Sequence, residues 1–501
     1  MAIQLLDLPP ELLILILSSL NLFSLASCLA TNRRVKSIID GSTWLQYRLA
    51  AQAYFTEFFR NPSSVRNIEM NWQDFTDVLT YALSGGIFAA ADVDSGTLKW
   101  FSLAAKEPVV HQLGLQGCIQ DLALAVPEDD LLAVVSTFVI ASKSTIAKRT
   151  RSRPLDQGAK SVKMHFYEMA TQSAHRLARK PVVKVPRIRR LGKFVSDARV
   201  DICGSKIALL VHYADSEPPS RLLIYDWKQG RLLMDFFGHF SIARFLSLDV
   251  VVLAERDTGS LKLWTIQENP QDVVACPRIC LRLPQLEKPG GKYIVFDAES
   301  NPKGSGSLSS QEPFHSSFTD SILLFQVLIL LEDQETELLL DLVVSRRALL
   351  QLLPSAEEPS IELSWKQWGP PIARWLGGGS GSDNWAPITC GQRLASVDPL
   401  TGCIRLLDFN PYTYRKLSRK QMDDTGESTA VCTLSGTETN VVNRLSPGIF
   451  GEEIASQLGC IVADSPAEAV YNGVLLEGKW IVGVKDTLDV DGKLSFDLCQ
   501  Y

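Results

Sequence analysis

Four times along the chain a run of apolar residues is joined to a short polar turn carrying a glycine. Asp94-Ser95-Gly96-Thr97 leads into Leu98-Lys99-Trp100-Phe101-Ser102-Leu103, and Thr258-Gly259-Ser260 leads into Leu261-Lys262-Leu263-Trp264-Thr265-Ile266. Thr401-Gly402 precedes Cys403-Ile404-Arg405-Leu406-Leu407-Asp408-Phe409. A fourth copy begins with its strand, Arg221-Leu222-Leu223-Ile224-Tyr225-Asp226-Trp227, and runs into Lys228-Gln229-Gly230. Tight glycine turns between such runs join antiparallel neighbours. From about residue 84 onward the chain therefore has to be built from short strands.

Strand–turn–strand units repeated in this way stack as four-stranded blades around a channel. Roughly 410 residues follow the N-terminal region, enough for about six to eight blades of some 40 to 45 residues with long insertions. The copies are degenerate. Phe237-Gly238-His239 and Tyr225-Asp226-Trp227 are fragments of a Gly-His and Trp-Asp signature without its regular period. The expectation is a mainly β chain with an irregular β-propeller over residues 84–501. A large β-sandwich, or two stacked β domains, would show the same short strands and turns.

The N-terminal region reads differently. Pro9 and Pro10 precede Glu11-Leu12-Leu13-Ile14-Leu15-Ile16-Leu17, and proline in a first turn followed by an early acid starts a helix. Apolar residues cover nearly every side of this helix through Leu20, which is tolerable only where other helices or a partner cover it. Asn21 and Ser24, then Thr31 or Asn32, then Ser42 supply caps for further short helices, and Gly41 supplies a stop. So small a unit gains stability from what it binds. Residues 51–83, with Phe55, Phe58, Phe59, Trp72, Phe75, Val78 and Leu79 among polar residues, are expected to form a helical connector.

Leu8-Pro9-Pro10-Glu11-Leu12-Leu13, Ile16-Leu17, Leu20, Ser24-Leu25, Cys28, Asn32-Arg33-Arg34, Ile38-Ile39 and Trp44-Leu45 resemble an F-box over residues 4 to about 50. The following stretch is similar to a group of fungal F-box proteins with propeller-like downstream regions. The resemblance implies an adaptor whose F-box packs on a Skp-family linker, and through it on a cullin-type (SCF) ubiquitin ligase, while the β domain holds an unknown protein substrate. Leu8, Pro9, Leu12, Ile16, Leu17, Leu20, Leu25 and Trp44 would make the linker contacts, as an apolar helix face laid into a groove. For any one of them, a place in the module's own core is the competing role. An interaction scaffold that never engages a cullin, or a propeller-based hydrolase with a fused helical module, are the rival readings.

Composition narrows the classes. A hydrophobic fraction of 46% and a charged fraction of 21% are those of a folded chain, not a disordered one. A net charge of −6 speaks against a chain built to neutralise phosphates, so no nucleic acid is expected. The longest apolar runs, 131–141 and 322–331, fall short of the roughly 20 residues a spanning helix needs, so no membrane partner is expected. The ten cysteines are mostly scattered, the first residues do not read as a secretory signal, and Asn61 is followed by Pro62. A cytoplasmic or nuclear location is expected.

No phosphate loop, nucleophile elbow or H-E-x-x-H motif occurs, and Cys276 and Cys280 have no second pair at ligand spacing, so no cofactor, metal or catalytic residue is expected. The stretch 142–163 holds Lys143, Lys148, Arg149, Arg151, Arg153, Lys160 and Lys163 and should be a basic loop, either a solvated face or a patch for an acidic partner. Trp365, Trp368, Trp375 and Trp385 cluster beside Pro370-Pro371 and a glycine run. They are the candidate substrate surface, since aromatic anchors favour interfaces, with packing between blades as the competing role.

Overall fold

The computed structural model describes residues 6, 8–20, 25, 28, 32–42, 45, 64–71, 78–92, 95–139, 160–186, 195–214, 219–256, 258–266, 276–287, 291–300, 318–331, 337–355, 357–377, 388–398, 401–411, 413–415, 433–435, 449–452, 454–464, 470–478, 480–486 and 493–500. Beyond the N-terminal helices they form seven antiparallel sheets, and these are the seven blades of a β-propeller.

Blade 1 is Val78–Ser84, Ile87–Asp92, Thr97–Ser102 and His111–Gly114, in that order outward. Blade 2 runs from Cys118–Ala125 through Leu131–Val139 and Lys160–Glu168 to Val182–Lys184, and blade 3 is Val195–Cys203, Lys206–Tyr213, Ser220–Asp226 and Arg231–Gly238. Blade 4 is Phe240–Ser247, Val250–Glu255, Ser260–Thr265 and Ile279–Arg282, extended by Ile361–Leu363 in parallel. Blade 5 is Lys292–Ser300, Ile322–Leu330, Glu337–Ser345 and Ala373–Gly377; blade 6 is Thr389–Cys390, Arg393–Val397, Ile404–Asp408, Cys460–Asp464 and Thr433–Ser435. Blade 7 takes Gly473–Glu477, Trp480–Asp486 and Lys493–Gln500 from the end of the chain. Its outermost strand, Ser64–Asn71, comes from the beginning.

Two strands lie where a helical connector was expected. Ser64–Asn71 falls within residues 51–83 and Val78–Ser84 begins there, so the propeller begins before residue 84. Local periodicity misreads this stretch because Ser64–Asn71 is fixed as a strand by its ladder with Lys493–Gln500, at the other end of the chain. The other residues of 51–83 lie outside those described.

One local rule builds several hairpins. Asp92, Asp226 and Asp398 each accept a hydrogen bond from the backbone N–H three residues on, of Ser95 (3.1 Å), Gln229 (2.9 Å) and Thr401 (3.1 Å). The residue after that donor is Gly96, Gly230 or Gly402, at φ 65°, 65° and 69°, where only glycine is unstrained. Glu255 replaces the aspartate in a fourth copy, accepting from the Thr258 hydroxyl at 2.6 Å ahead of Gly259. The sequence repeat is thus a repeated turn.

The apolar residues pack between consecutive blades. Ala89, Leu98, Trp100, Leu122 and Val134 fill the space between blades 1 and 2, and Phe166, Val200, Leu209 and Trp227 that between blades 2 and 3. Each fully buried side chain of this size contributes roughly 1.5–3 kcal/mol. Trp227 is anchored at both ends: its indole N–H donates to the Gly204 carbonyl at 2.9 Å, and His175 meets its ring edge-on at 4.9 Å.

The turn glycines give a differential test. A Cβ at Gly96 would stand 2.5 Å from the Leu115 carbonyl oxygen and 2.6 Å from that of Gly117, whereas Gly86, also at positive φ, has open space. Gly86→Ala is expected to cost about 1–2 kcal/mol from left-handed strain alone, and Gly96→Ala about 1–3 kcal/mol more, in urea unfolding. Equal losses would refute the close approach.

Candidate functional site

The N-terminal module stands on two described helices, α1 (Pro10–Ser19) and α2 (Arg33–Gly41), which contact each other. Proline at the first position starts α1 without wasting a donor, and Glu11 sits favourably in its first turn. Asn32 caps α2, its side-chain oxygen accepting from Arg34 N at 2.7 Å, while the Arg34 guanidinium donates to the Leu8 carbonyl at 3.3 Å. That last bond ties the start of α2 to the chain two residues before α1.

Leucine and isoleucine on nearly every side of α1 resolve into two faces. Leu13 and Leu17, one turn apart, are buried; Leu17 packs with Leu25, Val35, Ile39 and Leu45. On another side Leu12, Leu15 and Ile16 are 47%, 69% and 37% exposed. Three large aliphatic side chains at i, i+3 and i+4 in water form an apolar stripe of the kind that enters a partner's groove.

The expected linker contacts divide accordingly. Pro9, Leu12 and Ile16 are exposed, and Leu8 and Leu20 are half-buried. Leu17 and Leu25, 5% and 0% exposed, fill the module's own core, and a contact role for them is corrected by the structure: a helix of this length needs one face for its neighbours. Trp44 lies outside the described residues. Leu15, the most exposed of the stripe, was missed, although its spacing from Leu12 already placed it on that face.

The tryptophan surface is also corrected. Trp365, Trp368 and Trp375 are 1%, 0% and 3% exposed, and Trp385 lies outside the described residues. Trp365 and Trp368 sit on the short helix Trp365–Ile372, begun by a capping box in which Ser364 and Gln367 bond reciprocally. Their rings meet edge-on at 5.0 Å, Trp375 lies 6.0 Å from Trp365, and the Trp368 indole donates to the Arg282 carbonyl at 2.8 Å. The three plug the space between blades 4 and 5, where the strand Ile361–Leu363 widens blade 4. Large rings fill that wedge; none is offered to a substrate.

Sequence reasoning also missed the polar stitching of the inner ring. The innermost strands of blades 1, 2, 3 and 5 each shift register against the second strand, immediately before Thr80, Asp121, Asp197 and Asp297. Asp121 accepts from the Thr80 hydroxyl of blade 1 at 3.0 Å, and from the backbone N–H of Leu122 and of Val200 in blade 3, both at 2.8 Å. Asp201 of blade 3 accepts from Phe245 N of blade 4 at 2.7 Å. Asp297 of blade 5 pairs with Arg244 of blade 4 at 3.3 Å and Arg199 of blade 3 at 3.6 Å. Side chains thus bind blades 1 to 5 into one ring wall.

Burial pushes the Asp121 carboxyl up to about 6 against the pull of its backbone donors and Arg244, and it pushes the His165 and His212 imidazoles down to about 4. Both histidines are therefore neutral at pH 7. Of the basic stretch 142–163, residues 142–159 lie outside those described; Lys163 is described and sits over the Phe138 ring at 3.7 Å. Among the described residues no group of three or more histidine, cysteine or acidic side chains is placed to hold a metal ion.

Residues 5–50 match the model of the F-box-like family, so the N-terminal module is F-box-like, and the sheets of the rest of the chain form a seven-bladed propeller. A comparison with the curated proteins gives no match. Among solved structures the chain is similar to the WD40 domain of Toxoplasma gondii coronin, with 9% identity, a TM-score of 0.39, and 87% of this chain and 86% of that one covered. It is similar too to a virginiamycin B lyase of Staphylococcus aureus, at 9% identity and TM-score 0.34 over 87% of this chain and 100% of that one. The propeller domain of the trilobed protease of Pyrococcus furiosus follows at 9% and 0.30, over 66% and 91%. The blade count comes from the sheets themselves.

Two predictions arise here. Trp368→Ala is expected to lower stability by about 3–5 kcal/mol, through the cavity it leaves; if it altered partner binding with unchanged stability, the packing role would fall. Because burial raises the Asp121 pKa above its unfolded value, ionising it costs the folded state more than the unfolded chain. Its contribution to stability is present below about pH 4 and is lost as pH rises through about 6, by up to roughly 3 kcal/mol. Asp121→Asn should remove that slope from stability measured between pH 4 and 7.

Proposed function

We propose that this protein is a substrate-recruiting adaptor of a cullin-type ubiquitin ligase, in which the F-box-like module binds a Skp-family linker and the propeller holds a protein to be modified. The observation that carries this reading is the stripe of Leu12, Leu15 and Ile16 standing exposed on the first helix of an F-box-like segment. Burying three aliphatic side chains in a partner's groove supplies several kcal/mol, enough to repay the ordering of a small module. On this reading the chain performs no chemistry itself: the linker and cullin bring the ubiquitin-charged enzyme, and the propeller sets which protein is presented. Such an adaptor works in the cytosol or the nucleus.

The hydrolase reading asks for titratable groups gathered on the propeller axis, and Asp121, Asp197, Asp297, Arg199 and Arg244 answer that description. Their bonding favours the adaptor. Asp121 is committed to three donors and the two arginines to Asp297 and its neighbours, so each group holds a blade in place.

Pull-down of a co-expressed Skp-family linker tests the proposal. Leu12→Asp with Leu15→Asp changes exposed positions, so the fold should survive while capture falls at least ~30-fold, the equivalent of about 2 kcal/mol. Leu17→Ala is expected instead to loosen the module itself, by about 2–4 kcal/mol. Capture of the linker by the double variant at the intact level would overturn the docking role. Cullin in the same eluate separates a ligase adaptor from a scaffold that stops at the linker.

A further inference from the structure

The outer edge of blade 2 is made of two short strands with an excursion between them. Ser173–Ala174 and Val182–Lys184 both pair with Lys160–Glu168, and the chain between them leaves and rejoins that strand at one residue. His175 N donates to the Phe166 carbonyl and Phe166 N to the Pro181 carbonyl, both at 2.9 Å. The excursion 176–180 is pinned on its inner side. The His175 ring, 2% exposed, bonds the Asp129 carbonyl at 2.7 Å and Leu177 N at 3.2 Å. Ala178 enters the core between blades 2 and 3, Arg179 N donates to the Lys228 carbonyl at 3.0 Å, and Lys180 Nζ donates to the Gly230 carbonyl of blade 3 at 3.2 Å.

On its outer side this edge differs from its counterparts. Leu177 and Val182 are 46% and 43% exposed, and Arg179, Lys180 and Lys184 are exposed with them. Residues 169–186 hold four lysines and arginines and no acid, in a chain whose net charge is −6. Glu168 is matched by Arg176 at 3.1 Å and Asp129 by Lys228 at 2.6 Å, so neither is left to neutralise the other cations. Blade 1 ends in His111–Gly114, which carries no lysine, arginine or acid; blade 3 ends in Arg231–Gly238, with one residue of each sign. The edge of blade 4 is covered by Ile361–Leu363.

The backbone is open as well. The bonds from Phe166 N to Pro181 and from Val185 N to the Val162 carbonyl, the latter at 3.0 Å, fix the alternation of the ladder. Val183 therefore bonds inward, and the N–H and C=O of Val182 and Lys184 face away from the blade. A short edge with a lysine, bounded by Pro181 and Pro186, resists pairing with its own kind. The exposed Leu177 and Val182 work against that protection, which leaves the edge selective and not merely blunted.

We propose that this edge is a docking site for an acidic, extended segment of a protein partner, which adds as a short strand beside Val182–Lys184. Its carboxylates meet Arg179, Lys180 and Lys184, its apolar side chains cover Leu177 and Val182, and its backbone takes up the open N–H and C=O groups. A single-stranded nucleic acid is held by stacking on aromatic rings, whereas Leu177 and Val182 are aliphatic. The inference rests on the reading of the propeller as the part that holds a protein, and it names the chemistry of what is held.

Fluorescence anisotropy on the full-length chain tests it, with a labelled peptide of alternating glutamate and valine and its counterpart of alternating lysine and valine. The acidic peptide is expected to bind and the basic one not. Arg179→Glu with Lys184→Glu changes exposed side chains, so thermal unfolding should stay the same while the acidic peptide binds ~tenfold or more weakly and the basic one now binds. Val182→Ser is expected to weaken the acidic peptide ~threefold. Lys292→Glu on blade 5 should leave it unchanged. No uptake of the acidic peptide, undiminished binding in the double variant, or an equal loss from Lys292→Glu would each overturn the site. Tighter binding of polyuridylate or of phosphatidylserine vesicles, lost in the same double variant, would overturn a protein as its occupant. No linker is present in this assay, and Leu12→Asp with Leu15→Asp is expected to take the peptide as the intact chain does, so a failed docking module is told apart from a failed edge.

Discussion

The ring of sheets closes where its first and last members meet, and here one antiparallel ladder, Ser64–Asn71 against Lys493–Gln500, ties the two ends of the chain together in its last blade. Most ladders within the blades join strands that lie close in sequence, so each costs little loop-closure entropy. The closing ladder has to bring together residues from opposite ends of the chain, and its loop is the longest in the protein. What repays that cost is the core between blades 7 and 1, where Ile68 packs among Phe88, Phe101, Phe496 and Leu498, with Phe88 and Phe496 meeting edge-on at 5.3 Å.

The second constraint is polar and lies at the axis. Around the channel the inner strands approach each other without a continuous ladder between blades, so backbone N–H groups there need partners other than strands. Asp121 and Asp201 supply them to Val200 and Phe245 of the following blades, and the register shift before Asp121 is what turns its carboxylate toward the neighbour. Arginines follow the same logic with opposite charge, since Arg244 bonds the Ala298 carbonyl at 2.5 Å as well as the Asp297 carboxylate. A buried carboxylate usually invites a catalytic reading. Here two of its three donors, the Thr80 hydroxyl and the Val200 N–H, belong to the flanking blades, which is why the perturbed proton affinity of Asp121 speaks of assembly.

Much of this was legible in the sequence because it is local. The turns at Gly96, Gly230, Gly259 and Gly402 announce themselves as a glycine in a short polar run beside an apolar one, and they gave away the strand-rich region and its repetition; that Asp92, Asp226 and Asp398 cap three of them emerged from the structure. The F-box-like pattern was legible for the same reason: its spacing is that of consecutive short helices. What local pattern does not carry is the identity of a strand's partner, so Ser64–Asn71 and Val78–Ser84, rich in polar and aromatic neighbours, read as helix. Nor does it carry depth. Trp365, Trp368 and Trp375 look alike as interface anchors or as wedge-fillers until the helix Trp365–Ile372 is seen lying under them.

Depth also separates the leucines of α1, which the sequence could not rank. Leu12, Leu15 and Ile16 differ from Leu13 and Leu17 only by a rotation about the helix axis, about 100° per residue. Leu13 and Leu17 are both buried, and Leu17 is claimed by Leu25, Val35, Ile39 and Leu45. Leaving three large aliphatic residues in water is a standing cost of a few kcal/mol that only association removes. In the propeller, Trp100, Trp227, Trp264, Trp365, Trp368 and Trp375 are sealed inside. The molecule thus pairs a module that carries an exposed apolar stripe with a domain that is closed upon itself, and the strand Ser64–Asn71, which follows the first in sequence, belongs structurally to the second.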